Sequence, residues 1–244
     1  MTGATASSAP EVDVRVVAGT ARVDDLDAFL AEVNAVREAT GAVVQVFDAQ
    51  YVVSRRHLVR AVELAERAAA RGETVARDRA VGVLLYAAGC RQIDRALAMG
   101  VDEGEGAAAA VVYAPSAAEG ETGGERGRGD RRTEERGCGD RRTEERGCGD
   151  RPTEERGCGD RPTEERGCGD RPTEENEEAV ERAVDRVLDL LADSAVVGPD
   201  GDVPGTDRAT VREFFDVSDA ELAAVDGTLA DVVLERVALL DVEK

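Results

Sequence analysis

Cys138, Cys148, Cys158 and Cys168 stand at ten-residue intervals, and four thiolates brought together could bind zinc. Structural zinc sites take thiolates as close pairs, because one tight turn then fixes two ligands. Here the thiols carry the period of a repeat, and its first unit has Arg128 where the others have cysteine. No metal site is expected from them. The fifth cysteine, Cys90, falls at a helix junction and reads as a small packing residue. The only histidine, His57, lies between Arg56 and Leu58, and no nucleophile motif accompanies it. Neither a phosphate-cradling Gly-x-x-x-x-Gly-Lys-Ser/Thr loop nor a dinucleotide fingerprint occurs. The chain therefore reads as a non-enzyme, without catalytic residues or cofactor.

Arginine is the more informative group. The chain has a net charge of −21, yet residues 54–100 hold nine arginines against five acids. Arg55, Arg56 and Arg60 lie within a turn and a half of one helix start, where free backbone N–H groups also favour anions. Guanidinium forks suit phosphate oxygens, and Gln92 beside Arg91 could read a base edge or a ribose. The competing reading is a solvated face whose arginines pair with Glu63, Glu66 or the acidic C-terminal part.

The elements that must position these residues follow from periodicity. Val12, Val14 and Val16 alternate with Asp13 and Arg15, which predicts a strand. Asp24-Asp25 opens a helix carrying Leu26, Phe29, Leu30, Val33 and Val36, with Gly41 as its stop. Ala42–Phe47 is a short apolar run and predicts a buried strand. Ser54 is a plausible N-cap for a helix ending at Gly72, with Leu58, Val59, Val62, Ala65 and Ala69 on its apolar face. A second helix starts near Asp78 and stops at Gly89. A short third helix uses Ile93, Leu97 and Met99 before Gly100, and Ala107–Tyr113 predicts another strand. After Glu177, Val180, Val184, Val187, Leu188 and Leu191 mark an amphipathic helix. Residues 197–206 read as a loop, Val211–Val217 as helix or strand, Asp219–Val225 as a short helix and Leu229–Leu240 as a last one.

Between these parts, residues 127–176 hold five ten-residue units of the form Gly-Cys-Gly-Asp-Arg-(Arg/Pro)-Thr-Glu-Glu-Arg, the first with Arg128 for the cysteine. Such units have no aliphatic or aromatic residue to bury, so ordering them is unfavourable. The expected architecture is an α/β single compact domain, a small mixed sheet packed by helices, formed by 11–114 and 177–244. Residues 1–10 are expected to be a flexible tail and 115–176 a disordered decapeptide-repeat insertion.

Strong acidity, a single lysine and a core of small residues resemble the proteins of extreme halophiles, whose dense carboxylates keep them soluble in high salt. No stretch has the 18 or so apolar residues that a membrane span requires, and the first ten residues lack a signal-peptide pattern. A cytoplasmic protein with reduced cysteines and no membrane partner is expected.

Gln45-Val46-Phe47-Asp48-Ala49, then Ser54-Arg55-Arg56-His57-Leu58 opening a helix, then Gly89-Cys90-Arg91-Gln92-Ile93 with Ala96-Leu97 before a glycine, form an ordered set. The set resembles the TPRKB-like family, the small subunit of the KEOPS (EKC) complex that binds the Bud-type kinase. Residues 232–240 resemble that family's last helix. The likeness covers 12–113 and, more loosely, 177–244; the repeat has no counterpart, and the third helix is a residue shorter. The resemblance implies a non-enzymatic accessory subunit in tRNA threonylcarbamoyladenosine synthesis that grips the single-stranded tRNA 3′ end and binds the kinase-like ATPase subunit. The residues assigned to tRNA on this basis are Arg55, Arg56, His57, Arg60, Arg91 and Gln92. Those assigned to the kinase are Leu97, Met99 and Val101. The alternative is a helix-turn-helix DNA regulator, since 54–100 reads as consecutive basic helices.

Overall fold

A strand of ten residues, β1 (Val14–Val23), runs through the middle of the molecule with side chains buried on both of its faces. The computed structural model describes residues 12–115, 174–199, 201–225 and 227–242, all within one compact unit. The expected tail, the four repeat cysteines and nearly all of the expected insertion lie outside them. In chain order the other elements are α1 (Leu26–Thr40), β2 (Val43–Asp48), α2 (Arg55–Ala70), α3 (Arg79–Ala87), α4 (Ile93–Leu97) and β3 (Gly104–Tyr113), followed by α5 (Glu174–Leu190), β4 (Ala192–Val196), α6 (Arg208–Phe214), α7 (Asp219–Ala224) and α8 (Leu229–Val242).

The fold is α/β, one four-stranded sheet in the order β2-β3-β1-β4 packed by helices. Every pairing is antiparallel, not mixed as expected. The alternation along β3 sorts the core. Ala108, Ala110 and Val112 meet Phe29, Val33 and Val36 of α1 and Val180, Ala183, Val184 and Val187 of α5. Ala109, Val111 and Tyr113 meet α2, α3 and α8 on the other face. Helices on both faces explain why β3 is apolar from Ala107 to Tyr113 instead of alternating with polar residues.

Local chemistry sets the helix ends. Asp25 accepts from the Ala28 N–H at 2.8 Å and opens α1, and Gly41 closes it in the left-handed region at φ 75°. Asp78 caps α3 through the N–H groups of Ala80 and Val81 and also receives Arg37 of α1 at 2.7 Å. Burial pushes the Asp78 carboxyl up, but Arg37 and the two backbone donors outweigh it and hold it below the usual carboxylate range.

Strand β4 was not expected. Its five residues are mostly exposed, Asp193 sits at φ 49°, and the pairing with β1 is irregular between Ala18 and Thr20. A short edge strand of this kind has no period-two signature to read. The ambiguous 211–217 stretch resolves as α6 followed by a turn, with Val211, Phe215 and Val217 buried.

A carboxylate lies inside the apolar layer beneath α2. Glu66 is 1% exposed and receives Arg79 at 2.6 and 2.7 Å and the Tyr113 hydroxyl at 3.0 Å.

Candidate functional site

Ser54 stands at the start of α2, where its hydroxyl accepts from the His57 N–H at 3.3 Å. The same turn swings the His57 ring inward. It is fully buried, with Nε2 2.8 Å from the Ala87 carbonyl and the ring edge-on to Phe215 at 5.7 Å. Donation to a carbonyl requires the proton on Nε2, which leaves the buried Nδ1 without a hydrogen-bond partner. Burial lowers its pKa from 6.5 to about 4, against a smaller upward pull from Ala87. His57 therefore joins α2 to the end of α3 and has no surface to offer a nucleic acid, which corrects its assignment to tRNA. The expected apolar face of α2 is also incomplete: His57, Ala61, Leu64, Glu66 and Ala68 are buried beside Leu58 and Val62. This helix is covered by the sheet, α3 and α8, so its buried arc is wider than an amphipathic surface helix would have.

Most arginines of the basic stretch turn inward or pair. Arg55 donates to the Val14 carbonyl at 3.0 Å, and its buried Nε has no hydrogen-bond partner. Arg60 pairs with Glu63 at 2.9 Å, and Arg71 with Glu73 and Asp241. Arg79 is spent on Glu66. Arg56, Arg91 and Gln92 remain exposed.

Arg56 and Arg91 act on different groups. Asp231, near the start of α8, is held below its usual range chiefly by the Thr228 N–H and hydroxyl, with a contribution from the field of Arg56. Arg91 instead acts on the Tyr86 hydroxyl, which donates to Asp241 at 3.4 Å. Asp231 and Asp241 are ten residues apart on one helix, about 15 Å by the helical rise.

Gly89 holds the α3–α4 turn against α8. Its φ is 59°, and a Cβ there would stand 3.4 Å from the Arg236 carbonyl oxygen. The left-handed backbone, more than the space, excludes a side chain. Gly89→Ala should cost about 1–2 kcal/mol in urea unfolding, and an unchanged midpoint would show that the turn relaxes freely.

For the partner-binding set, α4 is turned differently from the expectation. Ala96 and Met99 are buried, while Leu97 and Ile93 are 57% and 52% exposed. Met99 has no exposed surface, and its carbonyl receives the Asp48 N–H at 2.9 Å, so it is removed from the docking set. Val101 is half-buried against the α1 side of the core. Leu97 remains available, and Ile93, one helical turn earlier, joins it on the same face.

Sequence reasoning missed a third group. Arg95 lies over the Phe214 ring at 5.3 Å and donates to the Phe214 carbonyl at 2.5 Å, joining α4 to α6. Phe214 in turn meets Tyr51 edge-on at 5.3 Å. The only sequence hint was Gln92 and Arg95 at i,i+3 spacing. Tyr51 belongs to the turn that also carries Asp48 and Gln50, which line an acidic cleft of about 240 Å3 with Asp102, Glu103 and Glu105. Burial, with Asp102 adding to it, pushes the Asp48 carboxyl up.

Among the described residues no helix is long and apolar enough to cross a membrane. No protein-family model matches the chain, and no curated protein matches it.

Proposed function

We propose that the chain is a non-catalytic accessory subunit of the KEOPS machinery, binding the tRNA 3′ end and the kinase-like ATPase subunit in the cytoplasm of a halophile. The observation that carries this reading is that the residues bearing the family resemblance meet at one structural junction. Ser54 caps α2, His57 bonds the end of α3, Gly89 turns against α8 and Gln92 opens α4. Residues with mutual geometric constraints support a shared fold more strongly than a scattered set would. What the junction leaves at the surface is Arg56, Arg91 and Gln92 for RNA, and Ile93 and Leu97 for an apolar partner.

The helix-turn-helix alternative is weaker on the same grounds. A recognition helix must offer one face to the major groove. In α3, Ala80 and every residue from Gly82 to Ala87 are buried.

Competition binding at high salt tests the RNA half. Intact tRNA should displace both duplex DNA and tRNA trimmed of its unpaired end, and charge reversal at Arg56 or Arg91 should weaken it several-fold with circular dichroism unchanged. Indifference to trimming would reject it. For the partner half, the Leu97→Glu variant should fail to bring a small kinase down from native cytoplasm while the wild type does so.

A further inference from the structure

The chain has seven aromatic residues, all described, and five of them are core: Phe29, Phe47, Tyr86, Tyr113 and Phe215. The two that reach the surface, Tyr51 and Phe214, are in contact with each other although they come from different elements. Arg95, exposed on a third element, covers Phe214 with its guanidinium. Gln92 lies one helical turn before Arg95 on the same face; it is exposed, and its amide makes no capping bond.

We propose that Tyr51, Phe214, Arg95 and Gln92 form a stacking strip for one unpaired nucleobase, the ring held by aromatic and guanidinium planes and its edge read by the Gln92 amide. Every base has a π face, and aromatic or arginine planes are what single-stranded RNA recognition uses. The proposal rests on the RNA half of the function above and moves the base-holding groups from the start of α2 to the α4–α6 corner. Its electrostatics differ from those of a phosphate grip. The strip has one cation, and the turn bearing Tyr51 also lines the acidic cleft. Salt then removes repulsion instead of attraction, so affinity should hold or rise between about 0.2 M and about 2 M KCl, opposite to counterion-release binding.

The probe is a short unpaired oligoribonucleotide ending in 2-aminopurine, whose fluorescence is quenched on stacking, with an abasic-ended oligomer as control. With the full chain at high KCl, the wild type should quench it and bind the abasic oligomer about ten-fold more weakly or worse. Phe214→Leu and Arg95→Met should each lose about ten-fold in affinity and most of the quenching, whereas Arg186→Glu, at an exposed position of α5, should retain both. Arg95 is exposed, so its variant reports binding even if the Phe214 variant unfolds. Absent quenching by the wild type, or full quenching by Arg95→Met, overturns the strip. A wild type that prefers intact tRNA without quenching rejects the strip alone. Quenching without that preference rejects the tRNA-end function and keeps the strip.

Discussion

Alanine at position 79 should destabilise the protein by about 3–5 kcal/mol, because it takes the Arg79 cation from a Glu66 carboxylate that is 1% exposed in an apolar layer. In a chain of this size that corresponds to a fall of about 10 °C in Tm. The attraction between Arg79 and Glu66 is not the origin of the loss. Bringing both groups out of water costs nearly as much as their pairing returns, whereas removing Arg79 leaves a buried carboxylate without that cation. The double variant Arg79→Ala with Glu66→Leu should accordingly recover most of the stability, and failure to recover would show that Arg79 acts through packing of its stem. Molar KCl should leave the loss unchanged, since ions do not enter the layer. Arg22 with Glu105 supplies the contrast: both side chains are about two-thirds exposed, and Arg22→Ala should cost well under 1 kcal/mol. A loss below about 1 kcal/mol for Arg79→Ala in thermal and urea unfolding would mean that Glu66 is solvated or protonated without cost. The Tyr113 hydroxyl provides a spectroscopic check, since burial, followed by the Glu66 charge, raises its pKa far above the ordinary phenol range. It should not ionise before the protein unfolds in alkali.

The layered part of the fold could be read from the chain, because its signals are local. The valines of β1, the Phe29–Val33–Val36 spacing and the Asp25 and Gly41 ends of α1 each depend on neighbours within a few residues. The fate of the arginines could not be read that way. Arg79 reaches a carboxylate 13 residues away, Arg55 a carbonyl 41 away, Arg95 a carbonyl 119 away and Arg71 a carboxylate 170 away. A local surplus of cations says nothing of such partners, so a stretch that reads as a basic patch becomes, in three dimensions, the set of ties holding α2, α3 and α4 to the sheet and to the C-terminal helices. Met99 and Leu97 show the same limit on a smaller scale. On a five-residue helix the apolar residues 93, 96, 97 and 99 point nearly all round, and only the position of the sheet decides that Ala96 and Met99 go in and Ile93 and Leu97 go out. The sole polar residue of the Ser-Arg-Arg-His motif to be fully buried is the one that looks most like a site residue.

Acid should weaken the protein through that residue. His57 titrates at 6.5 in an exposed chain and at about 4 in the fold, because burial disfavours the imidazolium and the ring nitrogen that would take the proton, Nδ1, faces no acceptor. Between these two values the unfolded chain binds the extra proton and the folded one does not, so stability falls as pH is lowered from 6.5 towards 4 and is insensitive to this group above 6.5. The full difference amounts to about 3 kcal/mol. Carboxylates titrate in the same range, so the measurement is the difference between the wild type and His57→Gln, whose amide can still donate to Ala87 but cannot be protonated. The gap between their unfolding free energies should change by about 1.4 kcal/mol per pH unit across the window and level off on either side. His57 is the only histidine, so a single imidazole proton resonance reports it without assignment. A midpoint near 4 is expected, and a midpoint near 6.5 would place the ring in solvent and return it to the candidate RNA surface. Protonation at the lower value leaves the Nε2–H bond to Ala87 in place but puts a charge in an apolar layer beside Phe215, with a new Nδ1–H donor that has no acceptor, so the junction of α2, α3 and α6 should be the first part to lose amide protection as the acid limit is approached.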